Sequence, residues 1–212
     1  AMFEKIQGTS PYKSPTDMGV NMAGFAIVDD AACQAASRME ILRRYYTGLV
    51  DRVKGKCDEC VVRKLEIVMQ QAGVTPDICP AVRASLDKAQ ATGAPAGAMV
   101  LPDGRVVTGK TSSLLGPSAA MLLNAVKLLA GIDKDLDLLP ASIIAPISDM
   151  KLRHLGHHNP RLHSDEVLIA LSISAVTNPL AERVLKKLDD LRGSEAHFSV
   201  ILSEEDAKLY KR

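Results

Sequence analysis

An α/β or α+β layered domain preceded by a helical subdomain is the fold class this sequence predicts, on three observations. Residues 29–93 carry helical periodicity, caps and glycine stops. Residues 94–112 change texture to two short apolar stretches around Pro102-Asp103-Gly104. A β-branched stretch, HFSVILS, returns near the end after several further helical patterns. Strands interspersed with amphipathic and buried helices pack as layers. The expected division is a strand plus helical subdomain over 1–93, then an αβα subdomain over 94–212.

The elements follow in order. DMGVNMAGFAIV, residues 17–28, reads as a loop leading into a buried strand. Asp29 and Asp30 cap a helix to about Val53, with Ala36, Met39, Ile41 and Leu42 as its apolar face. A second helix runs from Asp58 to Ala72 and stops at Gly73; a third starts at Pro80, a favoured first helical residue, and stops at Gly93.

The stretch APAGAMVLPDGRVVTGKTS then predicts a hairpin. Pro117 opens a helix to about Ala130, residues 138–155 hold one or two short helices, and Ser164-Asp165-Glu166 caps the apolar helix VLIALSISAV. Asn178-Pro179 starts a helix whose leucines and valine recur to Gly193, HFSVILS is a strand, and Ser203 with Asp206 caps a last helix.

Composition excludes several functions. Lys and Arg number 26 against 25 Asp and Glu, aromatics are 3% and Trp is absent, which argues against nucleic-acid partners. No apolar run approaches the roughly 20 residues that cross a bilayer, so no membrane partner and a cytoplasmic location are expected. The four cysteines are expected as reduced thiols, Cys57-x-x-Cys60 lacking a second pair at ligand spacing. Ala1-Met2 resembles a vector scar before an initiator Met, and the abrupt start suggests a fragment.

GRVVTGKTS, residues 104–112, satisfies the P-loop pattern with Gly104, Gly109, Lys110 and Thr111. Its variable positions include two adjacent valines, which favour a strand over a phosphate-wrapping loop, and the next helix starts only near Pro117. What survives is a donor-rich strand exit: Lys110, Thr111 and Ser112 either hold an anionic ligand or form a solvated strand end.

HLGHHNPRLH, residues 154–163, concentrates four of the five histidines beside Asn159 and Arg161. His157, His158 and His163 are candidates for proton transfer, or for holding an anion with Arg161; capping and packing are the alternative. No ligand spacing supports a metal there, and none is expected. Glu195 and His197 share one face of a strand and form either an acid/base dyad or a strand-edge salt link. Asp17 and Asn21 lie around a glycine in either a ligand loop or a turn.

SPTDMGVNMAGFAIVDD, TGAPAGAMVLPDGRVVTGKTSSLLG, LLNAVKLLAGI, LGHHNPRLHSDEVLIALSISAVTNPLAE and LRGSEAHFSVILS, taken in order, resemble the bacterial family catalogued as domain of unknown function family 1846. Members are about twice this length, so the resemblance makes this chain the C-terminal half, with an N-terminal half missing. It implies a helical subdomain followed by a three-layer, cytidine-deaminase-like αβα unit, opened by the hairpin and the helix after Pro117. The zinc motif is not implied: Pro117-Ser118-Ala119 stands where deaminases begin that helix with H-x-E, and no P-C-x-x-C follows. Phe198 also stands where relatives are expected to carry a small hydroxyl residue.

The leading expectation is the C-terminal part of a cytoplasmic enzyme that binds a small anionic metabolite, phosphorylated or nucleotide-like. Its cofactor is unknown. The alternative is a noncatalytic ligand-sensing or assembly module whose loops meet the missing half or, in a homo-oligomer, another copy of the chain.

Overall fold

The computed structural model describes residues 29–210; the expected strand before Val28, with Asp17 and Asn21, lies outside them. The chain divides after Ile78 into two compact units.

In the first unit, α1 (Asp30–Val53) and α2 (Glu59–Gln71) are followed by a 3₁₀ turn, Pro76–Ile78. Asp29 caps α1, its carboxylate accepting the Ala32 N–H at 2.9 Å. The two helices pack on each other; Leu42 and Val62 are among the buried residues, and Gly48 faces Leu65 without room for a Cβ.

The second unit starts with α3 (Pro80–Thr92), which ends at the left-handed Gly93. It then forms the hairpin β1 (Ala96–Val100) and β2 (Val106–Lys110), and α4 (Pro117–Leu129), α5 (Ala141–Arg153), α6 (Ser164–Ser174) and α7 (Pro179–Leu185). β3 (Glu195–Phe198) and α8 (Glu204–Leu209) complete it. The sheet order is β2-β1-β3, and both pairings are antiparallel. Ala96 faces Lys110 and Val100 faces Val106 in the hairpin, while Ala98 faces His197 across β1 and β3.

Side chains alternate across this sheet. Met99 and Val107 join Met121 and Ala125 of α4 in one cluster. Ala96 and Ala98 point the other way and are equally buried, beneath α3. The sequence pattern groups the helix from Pro80 with the helical subdomain; its packing partner is the sheet, because its buried Ala81, Val82 and Ser85 cover that second face. A larger cluster lies among the helices, where Val126, Ile144, Leu162, Val167, Leu171, Ala181 and Val184 meet.

Two elements are shorter than their sequence patterns. The helix from Pro179 gives way after Leu185 to turns and a 3₁₀ segment, Asp189–Leu191. Leu185, Leu188 and Leu191 recur every three residues, a 3₁₀ period, and all three pack against the helical cluster. Of HFSVILS only His197 and Phe198 are in the strand; Ser199 closes the ladder by donating its N–H to Ala96 O at 2.9 Å, and Val200 and Ile201 are exposed.

Two glycines let α4 and β3 seat on the sheet. A Cβ on Gly97 would lie 2.5 Å from the Phe198 ring, and one on Gly109 would lie 2.1 Å from the backbone nitrogen of Met121. A phenyl ring can rotate, but a helix backbone cannot yield alone. Gly109→Ala is therefore expected to destabilise the second unit by more than about 3 kcal/mol in urea unfolding, at the upper end of overpacking costs.

Candidate functional site

β2 runs out at the exposed Lys110, and the residues after it are laced to the loop before α6. Thr111 donates to Pro95 O both through its N–H, at 2.7 Å, and through Oγ1, at 3.0 Å. Ser112 Oγ accepts the N–H groups of Leu114 at 3.2 Å and Leu115 at 3.0 Å, a local turn device of hydroxyl residues. Leu162 N–H donates to Leu114 O at 2.9 Å and Gly116 N–H to Leu162 O at 3.2 Å, which sets the N-termini of α4 and α6 side by side. Arg161 Nε then donates to Ser112 O at 2.7 Å, and Asn159 Oδ1 accepts the Arg161 N–H at 3.1 Å. The structure thus brings Ser112, Asn159 and Arg161 together, although the Thr111 and Ser112 hydroxyls are already engaged with the backbone.

A buried cation shapes the histidine loop. Lys151 is 1% exposed, and its ammonium donates to Arg161 O at 2.8 Å and to Glu166 Oε2 at 2.6 Å. The same Glu166 oxygen accepts at 2.8 Å the N–H of His163, the N-cap residue of α6. His157 N–H donates to Lys151 O at 3.1 Å, yet the His157 and His158 side chains are exposed. The loop is irregular but its backbone is tied at several points, and two candidate histidines face solvent on it.

The densest polar network was not legible as a site. The Asp206 carboxylate of α8 enters the space between the N-termini of α4 and α6. Oδ1 accepts the Ser118 hydroxyl and the Ser164 N–H, each at 2.9 Å, and Oδ2 meets His163 Nδ1 at 3.0 Å. Ser203 Oγ donates to Oδ2 at 3.3 Å, and the Ser118 and Ser164 hydroxyls bond to each other. Burial alone would raise this carboxyl, but the hydrogen bonds from His163, Ser164 and Ser118 outweigh it and hold Asp206 below the ordinary aspartate value. Nearby, Tyr210 donates its hydroxyl to Ser118 O at 2.9 Å, and burial pushes its phenol up to about 12.

The connectivity decides what this network can do. A nucleophilic triad places an imidazole between hydroxyl and carboxylate. Here the carboxylate lies between, and Ser118 and Ser164 are fully buried. Ser118 and Ser164 are structural donors, whereas His163 has 22% of its side chain exposed.

Glu195 and His197 lie on the α3-facing side of the sheet, together with Lys110. The register sets Glu195 against Val100 and Lys110 against Ala96, at opposite ends of β1. Two strand spacings and a four-residue offset separate their Cα atoms by roughly 17 Å. The register thus keeps Glu195 apart from Lys110. Burial lowers the His197 imidazole below its ordinary value. Among the described residues, no group of three His, Cys, Asp or Glu is arranged to hold a metal ion, and no helix is long and apolar enough to cross a membrane.

Two family models match the chain: the N-terminal part of domain of unknown function DUF1846 over residues 1–73, and its C-terminal part over residues 77–212. The chain belongs to the DUF1846 family. It carries residues of both parts, so it is not confined to the C-terminal one. Among bacterial relatives, a UPF0371 protein of Streptococcus thermophilus is 51% identical over 211 residues, covering 100% of this chain and 43% of the relative. A UPF0371 protein of Corynebacterium glutamicum is 53% identical over 210 residues, covering 99% of this chain and 42% of the relative. The chain thus spans under half the length of these relatives.

Two outcomes follow for stability. Lys151→Met leaves the Glu166 carboxylate without its cation and is expected to cost about 3 kcal/mol in urea unfolding, with part recovered in the double variant carrying Glu166→Gln. The second concerns acid. The folded Asp206 value lies below the ordinary 3.8, so its stabilisation is complete above that value and is lost as pH falls through the folded one. His197 adds an earlier loss as pH falls below its ordinary 6.5. Melting temperature measured from pH 8 to pH 3 should fall in these two stages, and Asp206→Asn should lower it throughout while retaining only the first.

Proposed function

We propose that this part of the protein binds a small anionic metabolite, phosphorylated or nucleotide-like, on the surface formed by Lys110, Thr111, Ser112, Asn159 and Arg161. The observation that carries the reading is the Arg161–Ser112 hydrogen bond. It fixes the guanidinium through Nε, and the four N–H groups on its terminal nitrogens have no partner among the described residues. An exposed, pre-positioned fork anchored to Ser112, two residues along the chain from the exposed Lys110, is suited to phosphate or carboxylate. His157, His158 and His163 lie on the same loop and are the proton-transfer groups of this reading. The whole protein is then a cytoplasmic enzyme whose remaining groups come from the additional length that its relatives carry.

We also read the second unit as a cytidine-deaminase-like αβα arrangement without zinc chemistry. The hairpin followed by α4, with α3 on the other face of the sheet, supports this. Where deaminases begin the corresponding helix with H-x-E, Ser118 stands bonded to Ser164 and Asp206. Two hydroxyls and a carboxylate that satisfy one another are not a zinc donor set.

The second reading, a noncatalytic ligand-sensing or assembly module, is favoured by the distance between Glu195 and Lys110 and by the engaged hydroxyls of Thr111 and Ser112. Melting temperatures of the parent, Lys110→Ala and Arg161→Ala across phosphate, sugar phosphates and nucleotides separate the two. Anion binding predicts that one of these stabilises the parent by about 2.7 kcal/mol at 100 times its Kd and loses at least tenfold in affinity in Arg161→Ala. An unchanged melting temperature with every ligand, with association of the chain altered by the same substitutions, supports the assembly role instead.

A further inference from the structure

We propose that Asp206 is a positioning residue that holds His163 with its proton on Nδ1, so that Nε2 is presented as a hydrogen-bond acceptor beside Arg161. The inference rests on the anion-binding reading and specifies its ligand: an anion that also carries a hydroxyl, with the anionic group on Arg161 and the hydroxyl donating to His163.

Three observations converge. First, Asp206 Oδ2 meets Nδ1 at 3.0 Å, and the carboxylate is steered there by the Ser118 hydroxyl, the Ser164 N–H and the Ser203 hydroxyl. An ionised carboxylate only accepts, so Nδ1 must donate and Nε2 keeps its lone pair when the ring is neutral. Second, because Nδ1 is turned to the buried Asp206, the exposed part of the ring is its Nε2 edge. Third, Leu162 is fully buried and bridges Leu115 in parallel, so its neighbours Arg161 and His163 are turned away from the core on the same side of that extended segment. The carboxylates around His163 are Asp206 and Glu205 on α8 and Glu166 on α6. Glu166 is engaged with the His163 backbone and with Lys151, which leaves Asp206 as the group bonded to the ring.

This arrangement differs from a merely structural cap. A cap needs only a hydrogen bond at the helix end, whereas a positioned acceptor needs one particular tautomer. The test is nitrogen-15 NMR of the histidine side chains in the 212-residue chain at pH 8, with His163→Gln assigning the signals. The expected result in the parent is a proton-bearing Nδ1 and a bare Nε2 on His163. In Asp206→Asn this preference should weaken, while Glu205→Gln should leave it unchanged.

The same samples are titrated with glycerol 3-phosphate and with propyl phosphate, which lacks the hydroxyls. A preference of about tenfold for glycerol 3-phosphate, reduced in Asp206→Asn, is expected for one added hydrogen bond to a positioned imidazole. A bare Nδ1 in the parent, or a tautomer unaltered in folded Asp206→Asn, overturns the positioning role whatever binds. If Asp206→Asn does not fold, the parent tautomer and the preference between the two phosphates decide. Equal binding of both overturns the ligand assignment alone, and binding of neither, with the expected tautomer, sinks the anion-binding reading and that assignment while leaving Asp206 as the residue that orients His163.

Discussion

The Asp206 carboxylate is the constraint on which the second unit depends. A buried charge is tolerated only when its oxygens are met by donors, and here those donors come from α4, from the start of α6 and from the residue that caps α8. Satisfying one side chain therefore fixes two helix N-termini relative to each other and pins the C-terminal helix across them. The neighbouring Leu114–Leu162 and Gly116–Leu162 backbone bonds repeat the constraint in the main chain.

A second buried charge, Lys151, acts from the opposite side of the same loop. Its ammonium holds Arg161 O and Glu166, and Glu166 in turn holds the His163 N–H. His163 is thus clamped at its backbone by a residue held in an ion pair and at its ring by the hydrogen bond to Asp206. A loop tied in this way loses little further freedom when it meets a ligand, and such pre-organisation is what converts a few polar contacts into affinity. His157 and His158, by contrast, are held only through the main chain or not at all by the bonds described, and their side chains remain adjustable.

The sheet supplies the platform but not the site. Gly97 and Gly109 let Phe198 and Met121 approach its α4 face, and α3 seals the other with small residues. Lys110, Thr111 and Ser112 leave from one end of β2. The Glu195–His197 pair shares the strand face with Lys110 but sits further along it, which is why two features of equal promise in sequence have different standing in three dimensions.

How much was legible follows from the range of each interaction. The caps at Asp29, Pro80, Pro117, Asn178 and Ser203, the Pro-Asp-Gly hairpin and the grouping of Lys110–Ser112 and Asn159–Arg161 as polar loops are all written within a few residues, because turns and helix ends are local hydrogen-bonding problems. The resemblance to family 1846 was carried by contiguous stretches and was visible for the same reason. What tertiary structure alone decided is the meeting of residues far apart in the chain: Asp206 with Ser118 and His163, Lys151 with Glu166, Arg161 with Ser112, and α3 with the sheet. Asp206 in sequence looks like half of an ordinary helix cap, and nothing nearby marks it as buried. Its role comes from burial, which gives a single carboxylate the strength to organise three segments and which no local pattern encodes.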